Sequence, residues 1–167
     1  MKIFITGNIG FIGNSLCNQL LKAKHELVGY DIQASKNKLK YDHHIGDIRN
    51  YENLYQCITD DIDLIIHLAA EHKDYGLSAE DYYSVNVQGI ENLLKVAEKK
   101  NVHRIITFSS SAIYGEGKNL DEKTIPAPKS HYGKSKLLAE KLVEKWVSEN
   151  NSKVIILRPA AVYGPGN

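Results

Sequence analysis

Two side chains of the sequence have the types and the spacing of a general base and its activator. Tyr132 and Lys136 lie four residues apart at the start of a predicted helix over residues 131–148, so both project from one helix face. A lysine ammonium beside a phenol favours the phenolate and lowers the phenol pKa from its usual value of about 10. We therefore predict that Tyr132 acts as a general base near neutral pH.

A run of three serines supplies hydroxyl groups that could work with this base. Ser109, Ser110 and Ser111 stand at the end of a predicted strand over residues 104–109. The carboxyl ends of strands are where parallel sheets bind their ligands. A serine hydroxyl at this place can donate a hydrogen bond to the substrate oxygen that the base deprotonates. The same three serines in an arbitrary loop would mean little, so the interpretation depends on the sheet.

Three glycines near the N-terminus are spaced for binding a pyrophosphate. Gly7, Gly10 and Gly13 lie between the first predicted strand and the first predicted helix. The first glycine permits a tight bend, the second lets the backbone approach a phosphate, and the third lets the helix pack on the sheet. The first N–H groups of the helix would bind the phosphate oxygens, and they belong to Phe11 and Ile12.

An acidic residue at the end of the second predicted strand extends this pattern to a dinucleotide site. Asp31 lies 18 residues after Gly13, close to the spacing of about 20 residues at which an acid binds the adenosine ribose. Its carboxylate would accept hydrogen bonds from both ribose hydroxyls and would repel a 2′-phosphate. NAD is therefore favoured over NADP as the cofactor.

Residues beyond Asp31 bear on the adenosine end of the same site. Asp47 would accept a hydrogen bond from the adenine amino group while Ile48 packs on the ring, although an ordinary turn aspartate is the alternative interpretation. Lys36 and Lys38 lie in the loop after the second predicted strand. Because these cations could meet a phosphate, NADP is disfavoured and stays an alternative.

The chain alternates short apolar runs with amphipathic stretches, and this order would position the residues above. Predicted strands cover residues 2–6, 26–31, 42–46, 63–68, 104–109 and 153–158, and predicted helices cover 11–23, 51–58, 79–100 and 131–148. Such alternation is typical of a parallel sheet with helices on both faces. Right-handed connections then give an α/β doubly wound sheet with ligand sites at the carboxyl ends of its strands.

Length, charge and cysteine content restrict the remaining classes. The chain has 167 residues, a formal net charge of +1 and two cysteines. These values predict one domain, no attraction to nucleic acid and no disulfide framework. Because the sequence has no apolar run of about 18 residues and no signal peptide, we predict a cytoplasmic protein without a membrane partner. The seven histidines lack metal-ligand spacing, so we predict no metal site.

Together these motifs resemble those of the extended short-chain dehydrogenase/reductase family, which contains NAD-dependent nucleotide-sugar epimerases and dehydratases. The resemblance covers essentially the whole chain. The segments that carry it are residues 6–13, 31, 47–48, 67–70, 86–89, 109–115, 132–136, 158–159 and 163–165.

The resemblance assigns roles to individual residues. It implies that Ser110, Tyr132 and Lys136 are catalytic, because the family's substrate-binding hydroxyl lies five residues before Gly115, with Ser111 as the alternative. Lys136 would bind the nicotinamide ribose and tune Tyr132. Besides these two residues and the glycine turn, cofactor contacts would come from Leu68, Ala69, Ala70, Asn86 and Ala160.

The function that the resemblance implies is that of an NAD-dependent nucleotide-sugar epimerase. Dehydratases of the family carry an Asp-Glu pair where this chain has Ser111 and Ala112, so water elimination lacks a catalyst. A nucleotide-sugar oxidoreductase of the same fold is the alternative. Residues 1–167 match only a Rossmann-like NAD(P)-binding domain, without the family's C-terminal substrate domain. A catalytically incompetent NAD-binding module is therefore a third hypothesis.

The resemblance also implies a homodimer formed through a four-helix bundle. The two long predicted helices, over residues 79–100 and 131–148, would contribute two members each. The interface would use those apolar side chains that do not cover the sheet, drawn from Tyr83, Leu94, Leu137, Leu138, Leu142 and Trp146.

Overall fold

A computed structural model describes residues 1–72 and 76–164 of the chain. Within these residues the strands are β1 Lys2–Thr6, β2 Glu26–Asp31, β3 Asp42–Ile45, β4 Leu64–His67, β5 Arg104–Phe108 and β6 Lys153–Leu157. All of them pair in parallel in one sheet, in the order β3-β2-β1-β4-β5-β6. The predicted doubly wound sheet is confirmed. Because the strand order reverses between β1 and β4, a ligand site belongs at the carboxyl ends of these two strands.

Helices connect the strands and pack on both faces of the sheet. They are α1 Phe11–Lys22, α2 Tyr51–Cys57, α3 Ala79–Tyr83, α4 Gly89–Lys99 and α5 His131–Asn150. Side-chain oxygens accept a hydrogen bond from the first turn of three of these helices, and they belong to Asn50 (α2), Ser78 (α3) and Ser130 (α5). Helix α1 begins after Gly10, which has no side chain to offer.

The two faces of the sheet bury separate hydrophobic clusters. Phe4 of β1 belongs to the larger cluster, which includes Leu93 of α4 and Val143 of α5. Ile3 and Ile5 point to the opposite face, where the smaller cluster contains Cys17 of α1. Both faces of β1 are therefore covered, as expected for a central parallel strand. This burial fixes the carboxyl end of β1, where the glycine turn begins.

The helix predicted over residues 79–100 is wrong in one respect, because it is not regular. A π-helical turn, Ser84–Gln88, separates α3 from α4. In a regular helix the apolar residues Tyr83, Val87 and Ile90 would share one face, but before Ile90 the buried residues are Tyr82 and Asn86. One extra residue in the π turn shifts the phase of the helix, and the predicted face returns from Ile90 onward.

Strand β6 forms one edge of the sheet and is covered on one face only. Val154 and Ile156 pack against the larger cluster, whereas Ile155 and Leu157 are 57% and 41% exposed. Among the helices of residues 1–72 and 76–164, none is both long enough and apolar enough to cross a membrane.

Candidate functional site

The turn between β1 and α1 requires glycine at two positions. Gly7 has a φ of +73°, and a Cβ added there would lie 2.7 Å from the backbone nitrogen of Ala69. A Cβ at Gly13 would overlap the carbonyl oxygen of Gly7 and lie 2.7 Å from the Cα of Asn8. The turn is therefore in direct backbone contact with the segment after β4 and with α1. Larger residues at either position would push the helix away from the strand.

The N-terminus of α1 is built to bind an anion. Gly10 makes no side-chain cap, and the first turn of α1 contains no acidic residue. The N–H groups of Phe11 and Ile12 belong to that turn, where the helix dipole concentrates partial positive charge. Gly10 is exposed, so the turn is open to a ligand. These features fit a pyrophosphate at this end of the helix.

Asp31 at the end of β2 holds the glycine turn from the side. One carboxylate oxygen accepts a hydrogen bond from the N–H of Ile9 at 3.0 Å, and the other accepts from the N–H of Gln33 at 2.9 Å. Each oxygen keeps lone pairs for a further donor. The residue is only 8% exposed, so its charge is fixed next to the turn. This position fits the predicted contact with a ribose diol.

A buried hydrogen-bond centre fixes the segment after β4. The hydroxyl oxygen of Thr6 accepts from the N–H groups of Leu68 and Ala69, both at 3.2 Å. It also lies 2.7 Å from Nδ1 of His67. Because two donors already point at the Thr6 oxygen, its own hydrogen donates to Nδ1, and the His67 ring carries its proton on Nε2. Leu68, Ala69 and Ala70 are thereby held beside Gly7.

Burial keeps His67 in this neutral form. The residue is 3% exposed, and burial together with the nearby charge of Lys136 lowers its pKa to about 3. At neutral pH the ring therefore accepts the Thr6 hydrogen bond permanently. His67 is a structural support of the site.

Helix α5 carries Tyr132 to the serine turn. The Ser130 hydroxyl accepts from the N–H of Gly133 at 3.0 Å and caps the helix. A Cβ at Gly133 would lie 2.5 Å from the carbonyl oxygen of Ala112, so α5 touches the turn that follows the serines. Tyr132, Ser110 and Ser111 then line one cavity of about 670 Å³, together with Leu77, Tyr82, Ala112, Gly115, Leu120, Ser130, His131 and Ala160. Two of the three predicted catalytic residues, Ser110 and Tyr132, therefore line the same cavity.

The two candidate serines differ in their surroundings. The Ser110 hydroxyl oxygen accepts from the N–H of Ala112 at 3.1 Å, which caps the 3₁₀ turn Ser111–Tyr114. That contact leaves the Ser110 hydrogen available to a substrate oxygen. Ser110 is 9% exposed, and Ser111 is half-buried. The geometry favours Ser110 because its hydroxyl is fixed in place.

Lys136 lies in the core one helical turn beyond Tyr132. It is 4% exposed, and burial lowers its pKa to about 8, while the charge of Glu140 opposes this shift. The side chain is therefore mostly protonated at neutral pH but close to its midpoint. An ammonium in this state can bind ribose hydroxyls and stabilise a phenolate.

Asn86, predicted to line the cofactor site, connects segments around it. Its Oδ1 accepts from the N–H of Glu71 at 2.8 Å, and its Nδ2 donates to the Glu71 carbonyl at 2.9 Å and to the Ser135 hydroxyl at 3.0 Å. The residue is 2% exposed. It therefore ties the loop after β4 to α5, which positions Leu68–70 and Tyr132 relative to each other.

Asp47 and Ile48, the two residues predicted to contact the adenine, both make contacts within the protein. Arg49 forms hydrogen bonds to both carboxylate oxygens of Asp47, at 2.5–3.0 Å, and holds the pKa of this carboxyl below its usual value. Ile48 is 6% exposed and packs against Gly89 of α4. The adenine contacts of both residues stay predictions, and Arg49 would share the carboxylate with any ligand.

A buried charge pair behind the site was missed by the sequence analysis. Glu140, 3% exposed, accepts from Nε and Nη2 of Arg158 at 3.0 and 2.7 Å, and Nη1 of Arg158 donates to the Tyr114 hydroxyl at 2.7 Å. The spacing of Glu140, four residues after Lys136 and next to Ala139, places it on the buried face of α5. That spacing is the signal that would have found it.

This combination of turn, acid and tyrosine–lysine helix on a parallel sheet defines a dinucleotide-binding domain of the short-chain dehydrogenase/reductase type. The chain belongs to the NAD dependent epimerase/dehydratase family, whose sequence profile matches residues 3–167.

Two of the curated relatives are named as 4-epimerases of sugars linked to diphosphates. The chain is 36% identical to N-acetyl-alpha-D-glucosaminyl-diphospho-ditrans,octacis-undecaprenol 4-epimerase of Escherichia coli O157:H7, over 99% of this chain and 50% of that protein. It is 33% identical to UDP-glucose 4-epimerase of Vibrio cholerae, over 99% of this chain and 53% of that protein. The chain thus spans about half the length of the curated relatives it matches.

Solved structures show the same fold with the cofactor. The UDP-glucuronic acid 4-epimerase from Bacillus cereus in complex with NAD superposes with a TM-score of 0.87 at 31% identity, over 100% of this chain and 58% of that chain. The predicted family and fold are therefore confirmed.

Proposed function

We propose that the chain is the NAD-binding part of a nucleotide-sugar epimerase with Tyr132 as its base. The observation that carries the proposal is that Tyr132 and Ser110 line one cavity, while the buried Lys136 lies one helical turn beyond Tyr132 on α5. A base, a hydroxyl donor and a cation in this order suit proton removal from a sugar hydroxyl coupled to hydride transfer. Relatives that are named as 4-epimerases support the same reaction class.

The described residues fit NAD at both of its ends. The open N-terminus of α1 would take the pyrophosphate, since Gly7 and Gly13 leave no room for side chains in the turn. Asp31 would accept from the adenosine ribose diol, and Lys136 would donate to the hydroxyls of the other ribose. Ala160, which lines the same cavity as Tyr132, would lie near the nicotinamide.

The chain's own residues would carry the proton steps. The Tyr132 oxygen accepts the proton of a sugar hydroxyl, and the Ser110 hydroxyl donates to the same sugar oxygen. When bound, NAD would supply the redox chemistry, which is reversible acceptance of a hydride from the sugar carbon with return to the other face of the keto sugar. Because the hydride is returned, the reaction has no net change in oxidation state, and Tyr132 gives its proton back to the sugar oxygen. The Lys136 ammonium stabilises the Tyr132 phenolate whenever the phenol has lost its proton.

The experiment that tests this function uses a full-length version of the protein and the substitution Tyr132→Phe. We expect NAD affinity to be kept, because the cofactor contacts remain, and turnover of nucleotide sugars to fall by at least about 10²-fold. Tyr55→Phe on α2 is the matched control and should retain full activity. Wild-type turnover in Tyr132→Phe would refute the assignment of the base.

The proposed assembly is a homodimer through α4 and α5. Two of the six candidate residues cover the sheet and are not available to the interface, since Leu94 and Trp146 are 4% and 6% exposed. Leu138, 42% exposed on α5, is the large apolar side chain of that set that is free for a partner. Light scattering should therefore give a dimer for the wild type and a smaller mass for Leu138→Glu. A monomer in the wild type would contradict the dimer.

A further inference from the structure

A small cavity lies behind Lys136, on the side of α5 that faces β4 and β5. Its polar lining residues are His67, Thr107, Ser109, Lys136 and Glu140, and the apolar ones are Ile90, Phe108, Ala139 and Val143. The space open to the centre of a water molecule is about 10 Å³, which is about the room that one water molecule needs. The cavity is thus of the size and polarity of a single-water site.

The Ser109 hydroxyl is the first observation that points to a water molecule in this cavity. Its oxygen is buried and has no hydrogen-bond partner within residues 1–72 and 76–164. Leaving a buried hydroxyl unsatisfied is costly, so such groups in folded proteins are normally bonded to protein or to water. A water molecule in the adjoining cavity would satisfy it.

The charges around the cavity are the second sign. Lys136 and Glu140 are both below 5% exposed, and they lie one helical turn apart. Yet across the described ranges the only ion pair of Glu140 is with Arg158, and Lys136 forms none. Two buried opposite charges that do not touch, with a water-sized space beside both, are well suited to a bridging water.

The groups that surround the ammonium come from every neighbouring element. His67 of β4 is neutral for the reasons given above, and Tyr132 and Glu140 belong to α5 itself. Arg158 after β6 is bound by Glu140 and by the Tyr114 hydroxyl, and the Tyr82 ring of α3 contacts that of Tyr132. Glu140 is therefore the one anion in the described surroundings of Lys136.

We propose that Glu140 is a positioning residue for Lys136: its carboxylate, fixed by Arg158, holds the ammonium through one water molecule bound in this cavity. The bridge gives Glu140 a function beyond its pair with Arg158, since it keeps Lys136 charged and fixed in place one helical turn from Tyr132. The inference rests on the role proposed for Lys136, but its test below involves no turnover. Failure of the bridge and failure of the epimerase function can therefore be distinguished.

The first measurement is the pKa of Lys136 in the 167-residue chain, followed by NMR through the ¹³Cε resonance of this side chain. The resonance is assigned by its disappearance in Lys136→Arg. In Glu140→Gln we expect this pKa to fall by about one unit or more, because an opposing charge of this kind shifts a pKa by about 1–3 units. Glu91→Gln is the matched control: Glu91 pairs with Lys95 at the same spacing on the surface of α4. It should leave the Lys136 resonance unchanged.

A purely structural role for Glu140 gives the opposite sign. If the substitution merely loosens the packing, water enters and the pKa of Lys136 rises from about 8 towards the usual lysine value of 10.5. A rise, or no change, would overturn the proposal. A fall would support the part of the proposal in which the Glu140 charge acts on Lys136, and the second measurement tests the water that bridges them.

The second measurement detects the water directly and needs no variant of the charge pair. We expect cross-relaxation peaks between water and the methyl groups of Ile90 and Val143, which line the cavity. Peaks relayed through the exchanging Ser109 hydroxyl would vanish in Ser109→Ala, whereas peaks from a bound water would persist. Their absence in the wild type, or their loss in Ser109→Ala, would overturn the bridging water.

Discussion

His67 links the site to the acid stability of the fold. Its ring accepts the Thr6 hydrogen bond only when Nδ1 is unprotonated, and burial keeps its pKa near 3. The unfolded chain takes up this proton near pH 6.5 while the folded chain does not. The stability that this pKa difference contributes is therefore fully present above pH 6.5 and is lost as the pH falls towards about 3.

We predict that this histidine alone lowers the free energy of unfolding by about 2 kcal/mol between pH 7.5 and pH 5. His67→Gln should lose this dependence, because the amide oxygen still accepts from Thr6 but does not titrate. Urea denaturation at the two pH values measures the difference. His44→Gln, on the exposed edge strand β3, is the control and should keep the wild-type slope; an equal slope in His67→Gln would contradict the assignment.

Asp31 has two tasks that two substitutions separate. Asp31→Ala removes both the Ile9 contact and the charge, so we expect loss of NAD affinity by about tenfold or more. Asp31→Asn keeps an oxygen for the Ile9 N–H but removes the charge that would repel a 2′-phosphate. It should narrow the gap between NAD and NADP affinities in calorimetry. An unchanged preference in both variants would remove Asp31 from the ribose site.

Individual residues differed in how far the sequence could predict them. The Tyr132–Lys136 pair followed from helical spacing, because i and i+4 positions share a face whatever packs against them. Glu140 obeys the same spacing, but a buried carboxylate is unexpected until Arg158, distant in sequence, is seen to pair with it. Asn86 was placed at the site from the resemblance, and only the structure shows that its amide is used by Glu71 and Ser135.

Among the elements, the β1–α1 turn makes a sharp prediction about backbone contact. A methyl group at Gly13 would overlap the Gly7 carbonyl oxygen, so Gly13→Ala must displace α1. We expect it to destabilise the fold by about 1–3 kcal/mol and to weaken NAD binding. At Gly10 a Cβ would meet its nearest atom at 3.3 Å, so Gly10→Ala is the milder control. Denaturation and calorimetry should rank the two variants in this order.

The strands and most helices were predictable to within one or two residues because alternating apolar runs and amphipathic stretches determine them locally. The π turn was not, since Ser84–Gln88 has no residue that forbids a regular helix. It is required by tertiary contacts, because Asn86 must reach the Glu71 backbone and Ser135 at the same time. Because the π turn is determined by contacts with residues distant in sequence, no local sequence pattern predicts it.

For the whole molecule, we predict that the 167-residue chain binds NAD but does not turn over a nucleotide sugar. The α1 terminus, Asp31 and Lys136 all belong to the described residues, whereas relatives that carry out the reaction are about twice as long. Calorimetry with NAD and a coupled epimerase assay on the same sample test both halves. Turnover by this chain would show that residues 1–167 suffice for catalysis.

The half-covered strand β6 has a consequence for handling the protein. Within the part of the chain that the structure describes, Ile155 and Leu157 form a row of apolar side chains on the edge strand of the sheet. Exposed apolar edge strands are prone to association with other copies of the protein. With a net charge of +1, the molecule has little long-range repulsion to keep copies apart. Concentrated samples should therefore grow cloudy on addition of sulfate, which strengthens apolar contacts, and clear on dilution.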